Sequence, residues 1–293
     1  MRSENNLDRI RALSFWQGDI SVEPLGGGLT NINYVVEDSR AKYVVRLGED
    51  IPHLHIMRFS ELAASRAAHS AGISPEVVFA QDGLMVLDFI ECHTLTSEDI
   101  RKPEVLQKIQ PLIKLCHREI PNHLRGPILA FWPFQVIRDQ SVILIEAGSQ
   151  HANLVRELVA FSNALETDAA PFDIVFGHND LLAANFLDDG SRMWLIDWDY
   201  AGFNTPLFDL GGLASNNDLS KDQERWLLEE YFETPITDEI VHRYEAMKCV
   251  SLLRETMWSM VSEINSSIKF DFAEYTSDYL TRFRAAHDAY RQT

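Results

Sequence analysis

An aspartate, an asparagine five positions later and a second aspartate seventeen positions after the first stand near the middle of the chain: Asp180, Asn185 and Asp197. They belong to two short pieces, Gly177-His178-Asn179-Asp180-Leu181-Leu182-Ala183-Ala184-Asn185-Phe186 and Leu195-Ile196-Asp197-Trp198-Asp199-Tyr200. Phosphoryl transfer from a nucleotide needs that combination of parts. A carboxylate must accept the hydroxyl proton, and hard oxygen ligands must hold Mg²⁺ against the phosphates. The alternative is a pair of surface turns, in which Asp and Asn are ordinary residues. Finding both pieces at this spacing, each behind an apolar run, favours the catalytic reading.

The elements that must position these residues are short. Residues 172–176 and 193–196 read as buried strands delivering polar residues to loops. Nearer the N-terminus, Leu7, Ile10, Leu13 and Trp16 predict an amphipathic helix ending at Gly18, and a strand follows over 20–24. Gly26, Gly27 and Gly28 then precede a strand over 33–37, where glycine lets a backbone approach a bulky anion. Thr30 and Asn31 can add donors there, and a plain hairpin turn is the competing explanation. A strand over 42–47 is followed by a helix over 58–71 with Phe59, Leu62, Ala63 and Ala67 on one side. Two further strands, 77–79 and 84–90, flank the Asp82-Gly83 turn. Beyond Ser97 the texture is helical. Val105, Ile109, Leu112, Ile113 and Cys116 form a stripe that Pro111 should kink, 120–148 is less regular, and a helix spans about 154–165.

His178-x-Asp180-Leu181-x-x-x-Asn185 resembles the catalytic-loop signature of protein kinases and their small-molecule relatives. Ile196-Asp197-Trp198 stands where protein kinases have Asp-Phe-Gly, and this is similar to the aminoglycoside phosphotransferase and choline/ethanolamine kinase group. Trp258-Ser259-Met260-Val261, Ser266-Ser267-Ile268-Lys269-Phe270 and Glu274-Tyr275 closely resemble choline and ethanolamine kinases. The resemblance covers roughly residues 22–290 and implies specific roles. Arg46 takes the place of the phosphate-holding lysine, with Glu61 as its ion-pair partner. Asp88 and Ile90 offer hinge backbone to an adenine, and Asp209 braces the catalytic loop. Trp258 and Tyr275 line an ammonium pocket, with Asp199 adding negative charge and Asn216 where choline kinases carry a glutamate. Glu255 replaces a second tryptophan, which exchanges an aromatic face for an acceptor and raises primary amines relative to choline. Read alone, Trp258 and Tyr275 are equally the ordinary core of packed helices.

Composition bounds the partners. Lys plus Arg, 26, against Asp plus Glu, 44, gives a net charge of −18, which argues against nucleic acid and anionic membrane as partners. Cys92, Cys116 and Cys249 are far apart, show no metal spacing and suit a reducing cytosol. No leader and no apolar run of about 18 residues is present, so the reading is a cytoplasmic protein without membrane insertion. A homodimer is left open.

The sequence therefore predicts an α+β, two-lobed, protein-kinase-like fold: a small antiparallel-sheet N-lobe over 1–88 and a larger, mostly helical C-lobe over 89–293. The predicted reaction is ATP- and Mg²⁺-dependent phosphorylation of a small amino alcohol, choline or ethanolamine. Asp180 orients or deprotonates the hydroxyl, Asn185 and Asp197 hold metal, and Gly27, Gly28 and Arg46 position phosphates. The alternatives are another substrate of the same superfamily (an aminoglycoside, thiamine or a sugar) and a catalytically silent nucleotide-binding module.

Overall fold

Short runs of β-branched and aromatic residues, such as Tyr34-Val35-Val36 and Tyr43-Val44-Val45, punctuate the first third of the chain. The computed structural model, which describes residues 2–266 and 268–292, shows what they build. Helix α1 (Arg2–Arg11) is followed by β1 (Ser21–Leu25), β2 (Ile32–Glu37) and β3 (Lys42–Leu47). Helix α2 (Arg58–Ser70) then leads to β4 (Val77–Gln81) and β5 (Leu84–Asp88). The five strands form one antiparallel sheet in the order β1-β2-β3-β5-β4. Alternation along β3 separates its two faces. Tyr43, Val45 and Leu47 are buried with Ile10, Leu13, Val36 and Val86 in a small core. Arg46, paired in register with Asn33 and Met85, points away from that core into a cleft.

After the sheet the chain is mostly helical. It runs through β6 (His93–Thr94), α3 (Ser97–Ile100), α4 (Pro103–Arg118), α5 (Ile120–His123), α6 (Pro133–Glu146) and α7 (Ala152–Asp168). Four short strands follow: β7 (Val175–Gly177), β8 (Phe186–Asp188), β9 (Met193–Leu195) and β10 (Gly202–Asn204). Helices α8 (Pro206–Asn216), α9 (Lys221–Phe232), α10 (Asp238–Asn265) and α11 (Phe272–Tyr290) complete it. Helix starts follow sequence chemistry. Thr96 with Asp99 and Ser220 with Gln223 form capping boxes, and Pro103, Pro133 and Pro206 occupy first turns where no N–H is needed. Strands β7 and β10 pair, and β6, β8 and β9 form a second small sheet, so the stretches carrying Asp180 and Asp197 both issue from hydrogen-bonded ribbons. The large core joins Phe134, Phe176, Trp198, Leu210 and Met257, and it also takes Ala64, Ala67 and Ala68 of α2. Helix α2 is thus packed on the helical part as well as on the sheet. Among the described residues no helix is long and apolar enough to cross a membrane.

The predicted α+β architecture is the observed one, with local differences. Helix α1 stops at Arg11; Leu13 and Trp16 pack from the turn beyond it, where Trp16 Nε1 donates to the Ile10 carbonyl at 2.7 Å. On α2 the inward face is Ser60, Glu61, Ala64, Ser65, Ala67 and Ala68, while Phe59 is 45% exposed. Small residues let this helix approach closely, with Ala64, Ala67 and Ala68 in the core and Glu61 in a buried charge network on the same face. The stretch read as irregular contains α6, because Pro133 opens that helix instead of interrupting one.

Candidate active site

Strand β7 ends at Gly177, where an added Cβ would lie 2.7 Å from Asn179 Oδ1, so only glycine fits. Asn179 then turns back in the left-handed region (φ 67°) and its amide donates to the carbonyls of Tyr200 (2.9 Å) and Gly202 (3.2 Å). Asp209, in the first turn of α8, accepts the backbone N–H groups of His178 (2.8 Å) and Asn179 (2.7 Å). It also meets His117 Nε2 at 2.9 Å, whose Nδ1 lies 2.7 Å from the Tyr231 hydroxyl. His178 Nε2 donates to the Ile196 carbonyl at 2.9 Å, which ties the loop carrying Asp180 to the one carrying Asp197. Burial holds the His178 ring below its usual range, so it serves as a neutral donor.

These anchors leave Asp180 at the end of a rigid loop, half-buried. Burial pushes its carboxyl up to about 8; Arg254 opposes the rise, and Glu255, Asp197 and Asp199 add to it. The 3₁₀ turn Ala183–Asn185 brings Asn185 back, and its Nδ2 donates to the Asp180 carbonyl at 2.8 Å. The amide oxygen is thereby the end available to a cation. Asp197 follows β9 with φ 70°, a backbone turn that presents its carboxylate to the same cleft.

Arg46 is the hub of a buried ion network. Its Nε lies 2.5 Å from Glu61 Oε1, and its Nη2 donates to Asp197 (2.5 Å) and Asp199 (2.7 Å). Arg58 repeats the arrangement from the start of α2: Nη1 donates to Glu61 (2.6 Å) and Asp199 (2.7 Å), and Nη2 to the Thr30 carbonyl (2.8 Å). Thr30 Oγ1 donates to Asp199 at 2.6 Å. The Asn31 amide, with its oxygen toward the guanidinium, accepts from Arg46 Nη2 at 2.7 Å. Burial pushes the Asp199 carboxyl up, but Arg46 and Arg58 outweigh it and hold the group well below the usual carboxylate range. For Glu61 the balance reverses. Burial outweighs Arg46, Asp199 adds to the rise, and the carboxyl is pushed up to about 7.

A cavity of about 390 Å³ lies between the sheet and the helical part. Gly27, Gly28, Arg46 and Glu61 line one side, Asp88 and Ile90 the far end, and Asn185 and Asp197 the floor. Gly27 has φ 107°, and a Cβ on Gly28 would sit 2.7 Å from the Asn31 carbonyl, so both positions require glycine. Thr30 and Asn31, expected to donate to an anion, are instead turned into the ion network. Asp199 is turned there too, 5% exposed and saturated by two guanidiniums and a hydroxyl, which leaves it no free oxygen face for an ammonium.

The remaining expected residues gather on α8, α10 and α11. Trp258 is 5% exposed and packs edge-on against Phe272 and Tyr275, with ring centroids at 5.9 and 6.1 Å. Tyr275 stacks at 4.5 Å on Tyr279, whose hydroxyl donates to Asn216 at 3.3 Å. Glu255 is not the free anion the sequence reading made it. Arg254 donates to it at 2.6 Å and the Tyr275 hydroxyl at 2.9 Å. Ser267, part of the quoted C-terminal resemblance, lies outside the described residues. Arg58, Arg254 and Tyr279 were missed by sequence reasoning. Arg58 had a signal, its spacing of three from Glu61 on one helix face.

Residues 22–219 match the profile described as choline/ethanolamine kinase. The chain belongs to the choline/ethanolamine kinase family. It is 27% identical over 306 residues to the probable ethanolamine kinase A of Dictyostelium discoideum, covering 93% of this chain and 87% of that protein. The structure of a choline/ethanolamine kinase family protein from Mesorhizobium loti superposes with a TM-score of 0.75 at 28% identity, covering 98% of this chain and 95% of that one. The choline kinase LicA of Streptococcus pneumoniae has the same fold, with a TM-score of 0.78, 24% identity and coverage of 97% and 100%. Membership in this kinase family accounts for the two-lobed layout, and Arg46 lines the cavity between sheet and helices.

Proposed function

We propose that this chain transfers the γ-phosphoryl group of ATP to the hydroxyl of a small amino alcohol, with choline and ethanolamine as the founding candidates. One observation carries the reading: Asn185, Asp197 and Arg46 line a single cavity beneath a glycine loop, and Asp180 is fixed beside Asn185. In this reading the chain divides near residue 89. Gly27 and Gly28 give the triphosphate close backbone approach, Arg46 neutralises its charge, and the Asp88–Ile90 backbone meets the adenine edge. Asp180 takes the proton of the acceptor hydroxyl as the oxygen attacks phosphorus, and its raised affinity for a proton suits that task.

The donor set fits Mg²⁺. Asp197 and Asn185 present one carboxylate and one amide oxygen to the cavity, the hard ligands that Mg²⁺ combines with substrate phosphates and water. A bound Mg²⁺ would supply charge neutralisation at the β- and γ-phosphates. Holding Asp197 in place falls to Arg46, 2.5 Å away.

The deciding experiment is a coupled ADP-release assay with purified protein, magnesium and a panel of amino alcohols. ATP consumption that needs magnesium and rises with the amine supports the proposal. ATP binding without acceptor-dependent turnover across the panel would make the chain a silent nucleotide binder.

A further inference from the structure

Two arginines and three carboxylates make up the buried network, and the two arginines are not equivalent. Arg46 lines the 390 Å³ cavity together with Glu61 and Asp197, whereas Arg58, Thr30 and Asp199 are not among its walls. Arg58 is the better fastened of the pair. Its Nε donates to the Glu49 carbonyl at 3.0 Å, its Nη1 to Glu61 and Asp199, and its Nη2 to the Thr30 carbonyl. Arg46 Nε lies 2.5 Å from Glu61 but makes no directed hydrogen bond among the described residues. The chain also keeps a place for the Arg58 fork. A Cβ on Gly48 would lie 2.7 Å from the guanidinium carbon of Arg58, and Gly48 is not in the left-handed region that would by itself favour glycine.

The two arginines share two of the acids. Arg46 faces Glu61 Oε1 and Arg58 faces Glu61 Oε2, while both reach Asp199 Oδ1. A guanidinium that turns to an incoming triphosphate leaves buried carboxylates behind, and a buried charge stripped of its partner is strongly destabilising. With Arg58 in place, neither Glu61 nor Asp199 loses its last cation when Arg46 turns. Without Arg58, the Arg46 guanidinium serves all three carboxylates of the network and is held where it is.

We propose that Arg58 is a positioning residue for nucleotide binding: it keeps Glu61, Asp199 and the root of the glycine loop paired, so that the Arg46 fork can turn to the phosphates beside Asp197. Arg58 itself does not touch the nucleotide. This rests on the reading of the cavity as the ATP site of a kinase.

Calorimetric titration of the full chain with a non-hydrolysable ATP analogue and magnesium tests it. Arg58→Met should weaken binding by about tenfold or more, because turning Arg46 then strips two buried carboxylates. Gly48→Ala removes no polar group but displaces the Arg58 fork, so it should weaken binding in the same direction, and it carries the test if Arg58→Met does not fold. The double variant should bind no more weakly than Arg58→Met alone, since both changes act through one side chain. In turnover, KM for ATP should rise while KM for the acceptor stays within about twofold, a split that a general loss of structure would not give. Arg58→Lys keeps the charge without the fork and should recover part of the loss. Binding by either folded single variant within about twofold of wild type overturns the inference and leaves the kinase reading intact. A wild type that binds no nucleotide overturns both. A wild type that binds nucleotide but phosphorylates no amino alcohol ends the amino-alcohol reading alone, and the titrations still decide the inference.

Discussion

Glu61→Gln isolates the effect of one buried charge. Glu61 is 4% exposed and held between Arg46 and Arg58 at 2.5 and 2.6 Å. Burial nonetheless dominates, so a carboxyl ordinarily at 4.5 is pushed up to about 7. Between those values the folded protein binds this proton more tightly than the unfolded chain does. The stability contributed is therefore greatest below 4.5 and is lost as pH rises, levelling off above about 7. At ~1.36 kcal/mol per pH unit, a gap of about 2.5 pH units amounts to up to about 3 kcal/mol. Glutamine has the shape of the protonated side chain and does not titrate. The variant should match wild type to within about 1 kcal/mol near pH 5, and gain on it by up to about 3 kcal/mol by about pH 8. Urea unfolding followed by tryptophan fluorescence at several pH values measures the difference directly. A stability difference that is flat with pH, or that moves against the variant as pH rises, would refute the reasoning.

Other perturbations separate chemistry from support. Asp180→Asn keeps shape but removes the proton acceptor, so turnover with the best acceptor should fall on the order of 10² to 10⁴-fold while ATP affinity, read by titration, changes little. Arg46→Lys should retain much more activity than Arg46→Ala, because it keeps the charge and loses only the fork; equal kcat/KM for wild type and Arg46→Ala would remove Arg46 from the phosphate site. Asp209→Ala strips the acceptor from two loop N–H groups and from His117, and should cost about 3 kcal/mol or more in chemical unfolding together with most of the turnover.

What the sequence made legible was local. The two polar pieces are contiguous stretches in which strand and polar residue follow one another, so the grouping of Asp180, Asn185 and Asp197 at one cleft was readable from order and spacing alone. The sheet strands were readable from alternation to within two residues, with β4 and β5 the furthest off at their ends. Glu61 entered by family resemblance, because a charged residue on the inner face of a helix contradicts the usual apolar stripe. The stack of Arg254 on Tyr200 and Phe131 was not readable, since its members are separated by 54 positions or more and no period links them. Glu255 was assigned an open charge for the same reason. A sequence lists a carboxylate but not the neighbour that neutralises it, here Arg254, one position away on the same helix.

The fastening of Thr30 has a mechanical consequence. The loop after β1 is tied at its far end by Thr30 to Asp199 and by Arg58 to the Thr30 carbonyl, while at Gly26 and Gly27 an added Cβ would meet nothing within 4 Å. Its tip stands in open space, whereas its root cannot lift without tearing guanidinium from carboxylate. Prising the sheet from the helices is thus work done against Coulomb attraction as well as against the apolar packing of Ala64, Ala67 and Ala68. Buried pairs are screened far less than surface ones, so ionic strength leaves such a joint fastened.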